Sequence, residues 1–241
     1  MNHLQIGLAD KHFEDPNGSL VITDEPALKR GEKLYDPAKH GLNPLPMQYR
    51  EAREFAAAVF PDKDLMTYRN GRRALTRLVM DAKRLDKLVY TRDDDDQEAE
   101  GVVDDIVLSP LLAEALRKPI PRWFFSGATI AVRLNRKEIG DDDAKIAASI
   151  LISQFKGPVV SEDFGCYARP THVALIREDR LMAGVYTLAE LDPKLRQMCL
   201  LMEKEAVGCT YEDAEVLAKY AGHVPATNAF NAFVQQTMAS N

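Results

Sequence analysis

The second half of the chain alternates short apolar runs with amphipathic stretches, and that alternation leaves few folds open. Residues 128–134 (Ala-Thr-Ile-Ala-Val-Arg-Leu), 159–161 (Val-Val-Ser) and 183–188 are too short and too β-branched to be helices. Between the first two, Gly140 is followed by Asp141, Asp142 and Asp143, acids that suit the positive end of a helix. Ile146, Ala147, Ile150, Leu151 and Phe155 then give that helix one apolar face. Strand, helix, strand, loop, strand, helix implies parallel strands joined by right-handed crossovers. The expected fold class is α/β, a mostly parallel sheet flanked by helices.

The first half adds strands and then a block of helix. Asp15-Pro16-Asn17-Gly18 is a turn signal, and residues 19–24 read as a buried strand joining the same sheet. Residues 33–35 read as a second short strand. Two prolines, Pro44 and Pro46, interrupt regular structure, and residues 47–60 read as helix. Residues 71–90 carry the clearest stripe of all, Leu75, Leu78, Val79, Ala82, Leu85 and Val89 at spacings of three and four. Ser109-Pro110 caps and opens a helix through Leu116. Asp192-Pro193 opens a helix through Leu201, Thr210 caps one through Tyr220 with Asp213 at the capping-box position, and Asn228 caps the last. The expected organisation is one α/β domain over residues 1–241, with residues 47–122 as a helical insertion.

Composition narrows the class. The chain of 241 residues has a net charge of −6, with 46% apolar and 28% charged residues, which excludes disorder, collagen and a disulfide scaffold. Three cysteines without a CxxC pair favour a reducing, cytoplasmic setting. No apolar run is long enough to span a membrane, and residues 1–15 lack a secretory pattern. Much of the negative charge sits between Asp93 and Asp105, where eight acids stand with no base. That run reads as an exposed, solvated loop, and without it the chain would be slightly basic, so an anion-binding face elsewhere stays open.

Candidate chemistry falls in four places. Glu162 and Asp163 follow the strand at 159–161. Ligand crevices of parallel sheets lie at the carboxyl ends of strands, where an acid holds Mg²⁺ or orients water against a phosphate. The alternative there is a plain polar loop. Arg69, Arg73 and Arg77 recur every four residues, and with Arg84 they offer a basic face for DNA phosphates. The alternative is a solvated helix back paired with nearby acids. Arg180, just before the third strand, stands where an arginine of a ring-shaped nucleotide-dependent motor could reach a neighbour's phosphate; the alternative is an ordinary surface arginine beside Glu178 and Asp179. Cys166 and His172 form a conceivable nucleophile pair without a third orienting group. Asp163-Phe164-Gly165 matches the metal-binding triplet of protein kinases, but no glycine-rich loop, strand lysine or catalytic loop accompanies it. Gly-Lys-Ser, Gly-Lys-Thr and GxGxxG occur nowhere.

In this order, these pieces resemble the FtsK/HerA-type ATPase superfamily, which includes DNA-pumping motors and conjugative coupling proteins. Residues 19–24 with Asn43-Pro44-Leu45 look like the strand after the first helix and its downstream element. Residues 125–151 are similar to the strand and helix before the Walker B strand, and Pro158-Val159-Val160-Ser161-Glu162-Asp163 stands in the Walker B place. Arg180-Leu181-Met182-Ala183-Gly184-Val185 looks like the segment entering the next strand, and the helical insertion is similar to the all-helical domain of coupling proteins. The Walker A strand, loop and helix would precede Ser19, where only 18 residues stand, and the polar sensor residue is absent from residues 187–191. The resemblance implies a degenerate relative that does not hydrolyse ATP alone, ATP binding requiring a partner subunit, with Mg²⁺ as a candidate ion. It would act as an oligomer or with protein partners, as an accessory or structural subunit of a DNA-handling, mobile-element or phage-related assembly. Two other readings stay open: a metal-dependent enzyme on a phosphate-containing substrate, and a virion or protein-interaction protein.

Overall fold

A computed structural model describes residues 2–7, 16–24, 26, 28, 32–60, 68–85, 88, 93–206 and 208–239. Seven strands form one parallel sheet: β1 (His3–Ile6), β2 (Leu20–Thr23), β3 (Lys33–Tyr35), β4 (Ile130–Arg133), β5 (Val159–Ser161), β6 (Leu181–Val185) and β7 (Glu203–Ala206), in the order β3-β4-β2-β5-β6-β1-β7. The α/β class expected from the alternation of short apolar runs and helices is therefore what the chain adopts, with helices flanking the sheet. The chain divides into two compact units, Pro16–Gly157 and the remainder, 1–15 with 158–241.

In the unit Pro16–Gly157, β2 and β3 both pair with β4 in parallel, with Leu20 and Lys33 each opposite Ile130. Between β3 and β4 lie α1 (Pro37–His40), α2 (Tyr49–Val59), α3 (Arg69–Asp81), α4 (Asp94–Leu108) and α5 (Pro110–Ala115); α6 (Arg136–Ile139) and α7 (Asp141–Gln154) follow β4. Helix α2 packs on α3 and α7 through the fully buried Phe55 and its neighbours Ala52, Ala56 and Val59. Gly41, just after α1, has φ +92°, and a Cβ there would lie 2.4 Å from the Lys118 carbonyl oxygen, so any side chain is barred.

The acidic run departs from expectation. It is not a loop: Asp93 caps α4 by accepting the Asp96 amide at 2.8 Å, and Asp94, Asp95 and Asp96 fill the first turn, where the helix dipole favours negative charge. Asp96, Ala99, Val103 and Ile106 form a buried stripe, and α4 packs against α3. Asp96 is fully buried and takes the Arg77 guanidinium at 2.5 Å, while Glu98 accepts the Gly71 amide at 2.8 Å. The expected helix over 71–90 begins at Arg69 and ends at Asp81; Val89 and Tyr90 lie outside the described residues, as does Asp15 of the turn before β2.

In the other unit, β6 pairs with β5 and β1, and β1 pairs with β7, all in parallel. Leu4 and Ile6 of β1, with Leu181, Ala183 and Val185 of β6, are buried. Helices α8 (Phe164–Tyr167), α9 (Val173–Arg177), α10 (Pro193–Cys199), α11 (Tyr211–Tyr220) and α12 (Asn228–Ala239) complete it. The strand expected at 183–188 is shifted back, ending at Val185, and Thr187 caps a 3₁₀ turn over Leu188–Glu190. Strands β1 and β7 were not anticipated from sequence. Among the described residues, no helix is long and apolar enough to cross a membrane.

Candidate functional site

The acids singled out after β5 stand at the carboxyl end of a parallel strand. All three residues of β5 are buried; Glu162 is exposed and Asp163 half-buried. Phe164 and Tyr167 of the short α8 are both buried, which pins the chain directly after Asp163. The Ser161 hydroxyl is buried and has no hydrogen-bond partner among the described residues.

The next strand brings the second half of the site. Tyr186 follows β6, is 42% exposed, and its hydroxyl donates to Asp163. Its backbone amide donates to Glu190 Oε2 at 3.3 Å. The Asp163 charge foremost, then the hydrogen bond to Asp163, partial burial and the nearby Cys166 and Glu190 raise the phenol pKa above its ordinary value. Gly165 lets Glu190 approach: a Cβ on it would lie 2.1 Å from Glu190 Oε2.

Asp213 holds this turn in place. It is 2% exposed, and its Oδ1 accepts the Thr187 hydroxyl at 3.1 Å and the Leu188 amide at 3.0 Å. Its amide donates to Thr210 Oγ1, so Thr210 caps α11 as expected, while its Oδ2 accepts the Thr210 hydroxyl at 2.9 Å rather than the Thr210 amide that a full capping box would use. A buried carboxylate with several donors is well satisfied. Sequence reasoning saw Asp213 only as a cap and missed Tyr186 and Glu190. The Thr187-x-x-Glu190 spacing, a capping-box pattern in its own right, marks the turn but not its meeting with Asp163.

Chemically, the arrangement is two carboxylates acting on one phenol. Among the described residues no basic side chain forms an ion pair with Asp163 or Glu190. Two carboxylates so placed attract cations and repel a bare phosphate. Among the described residues no group of three or more histidine, cysteine or acidic side chains is disposed to hold a metal.

The other candidates lie elsewhere. Arg180 precedes β6, so it stands at the amino end of the strands, opposite to Glu162 and Asp163; its guanidinium meets Glu178 Oε2 at 2.5 Å. His172 is buried against Phe164, and its Nδ1 accepts the Arg169 amide at 3.1 Å, which leaves its proton on Nε2. Burial, and then the Arg169 charge, push its pKa down to about 3, so it is neutral and structural in character. Cys199 is buried and its thiol is pushed up to about 12.

Arg69 and Arg73 are exposed on α3 and make no ion pair among the described residues. Arg77 keeps 62% of its side chain exposed while serving the buried Asp96. Arg84 is exposed beyond the end of α3, so it extends the basic region without sharing the helical face. Arg72 instead covers the Phe60 ring, 5.9 Å from its centroid. The chain matches no protein-family model, no curated protein and no solved structure.

Proposed function

We propose that the protein is a non-hydrolysing accessory or structural subunit of a DNA-handling assembly, built on a P-loop-ATPase-like core. The observation that carries this reading is the strand neighbourhood β5-β6-β1. Strand β5 ends in the acids Glu162 and Asp163. Strand β1 lies one strand further on and leads into residues 7–19, where the backbone-and-lysine phosphate grip of such a core would stand and where no Gly-Lys-Ser or Gly-Lys-Thr occurs. An acid-bearing strand beside a stretch whose sequence carries no phosphate-gripping motif supports this reading. The negative charge of Asp163 and Glu190 argues in the same direction, because it disfavours a nucleotide without a cation.

DNA contact belongs to α3 and the segment after it rather than to the acidic edge. Arg69, Arg73 and Arg84 are exposed, and each guanidinium that meets a phosphate releases bound counterions. Duplex binding should therefore weaken steeply with salt. Fluorescence anisotropy across a salt series checks this: replacing Arg69 and Arg73 by glutamine should lower the slope of log affinity against log salt by about one for each lost contact. Binding that ignores salt would refute the DNA role. Robust ATP turnover abolished by Glu162→Gln would refute the non-hydrolysing one.

One observation favours a second reading, a metal-dependent enzyme on a phosphate-containing substrate: Asp163 and Glu190 act together on Tyr186. It predicts a rise in melting temperature with Mn²⁺ or Mg²⁺ that Asp163→Ala removes.

A further inference from the structure

A groove of about 400 Å³ opens between β7 and the helices α11 and α12. Its walls are Ala206, Leu217, Tyr220, Ala221 and Phe233 with the polar Gln236 and Thr237, and Leu217 is 6% exposed. Among the described residues, Lys204 is the one charged side chain of this mostly apolar lining. Lys204 faces Leu4 in the register of β7 on β1, and Ala206 faces Ile6, so both share the side of the sheet on which Leu4 and Ile6 are fully buried. A strand patterned only for packing would carry an apolar residue at 204. Glu203 and Glu205 point to the opposite side, as alternation requires, and are exposed. Lys204 makes no ion pair among the described residues; its amine rests 4.9 Å from the centroid of the Tyr220 ring.

We propose that this groove binds a small amphiphilic carboxylate, with its apolar body on Leu217 and Phe233 and its carboxylate on Lys204. The volume falls in the range of small-molecule sites, roughly 300–1,000 Å³. An apolar lining with one oriented charge selects for a ligand carrying one opposite charge, because a neutral analogue leaves the ammonium without its partner. Lys204 is half-buried and its amine lies over the Tyr220 ring, which holds the charge at the groove.

Decanoate, kept below micelle-forming concentrations, is the probe. Isothermal titration calorimetry should show saturable binding with one site per chain, and decanol and decylamine should bind at least about tenfold more weakly, the loss expected for one charged hydrogen bond. Lys204→Gln should weaken decanoate by a similar factor. Ala206→Trp, which fills the groove, should abolish binding while the protein still unfolds cooperatively. Equal affinity for decanoate and decanol, or undiminished affinity in Lys204→Gln, would overturn the assignment, as would the absence of saturable binding. So would a Lys204→Met protein that self-associates yet binds decanoate unchanged, because the lysine would then serve only to keep an edge strand from pairing.

Discussion

Asp24 and Asp163 each stand just beyond the carboxyl end of a parallel strand, in different units, and they meet opposite fates. Asp24 is clamped by Arg136, with Nε to Oδ1 and Nη2 to Oδ2 both at 2.9 Å, and its Oδ1 also accepts the Arg136 amide at 3.2 Å. That carboxylate is committed to joining the end of β2 to the start of α6. Asp163 has a phenol for a partner and a second acid, Glu190, close by. The same residue type at the same kind of position is thus a fastening in one unit and an unspent charge in the other. Position at a strand end marks a candidate; the company a side chain keeps decides whether it is free for chemistry.

Acid should separate the two units most sharply. His172 belongs to the unit of Asp163 and stays neutral when folded down to pH about 3, whereas an unfolded histidine takes up its proton near 6.5. Between those values the unfolded state binds the extra proton, so stability falls as pH drops, by up to about 1.4 kcal/mol per unit from this group. Denaturant unfolding at pH 7 and pH 5 should show the loss, and His172→Gln should flatten the slope whatever it does to stability at pH 7.

The two aspartates come next in size. Asp24→Ala should cost about 1 kcal/mol, since the clamp is bidentate but about a quarter exposed. Asp163→Ala should stay within about 0.5 kcal/mol. Equal losses would erase the contrast drawn above. Smallest of all is a spectroscopic change. Asp163→Asn should let one tyrosine, Tyr186, ionise at lower pH than in the parent, seen as an earlier rise in phenolate absorbance. An unchanged titration curve would mean that Asp163 does not govern Tyr186.

How much of this could be read from the chain depended on where the apolar residues were. β2, β4, β5 and α7 are buried and announce themselves by runs of Val, Ile, Leu and Ala. β1, His3-Leu4-Gln5-Ile6, offers only two apolar residues, too few to set a period. β7, Glu203-Lys204-Glu205-Ala206, offers almost none, because an edge strand draws its place from backbone pairing with β1 rather than from side-chain burial. The acidic run deceived for another reason. Its charge was read as solvation, while Asp96, Ala99, Val103 and Ile106 carried a helical stripe beneath it and Arg77 supplied the counter-charge from a different helix. Of the candidate site, Glu162 and Asp163 were legible from strand-end position. Tyr186 and Glu190 were not, since what joins them to Asp163 is the pairing of β6 with β5, a long-range fact that local pattern does not encode.

That long-range pairing governs how the chain must assemble. His3 lies beside Met182 on one flank and Glu203 on the other, so an early-synthesised strand is held between two late ones. Contacts so distant along the polymer carry a large loop-closure entropy and slow the search for the native state. Until β6 and β7 have left the ribosome, Leu4 and Ile6 have no strand neighbours, and the unit containing Asp163 stays open longer than Pro16–Gly157, whose strands lie closer together in sequence. A nascent chain of this protein should therefore gain protease resistance in two stages, the internal unit first.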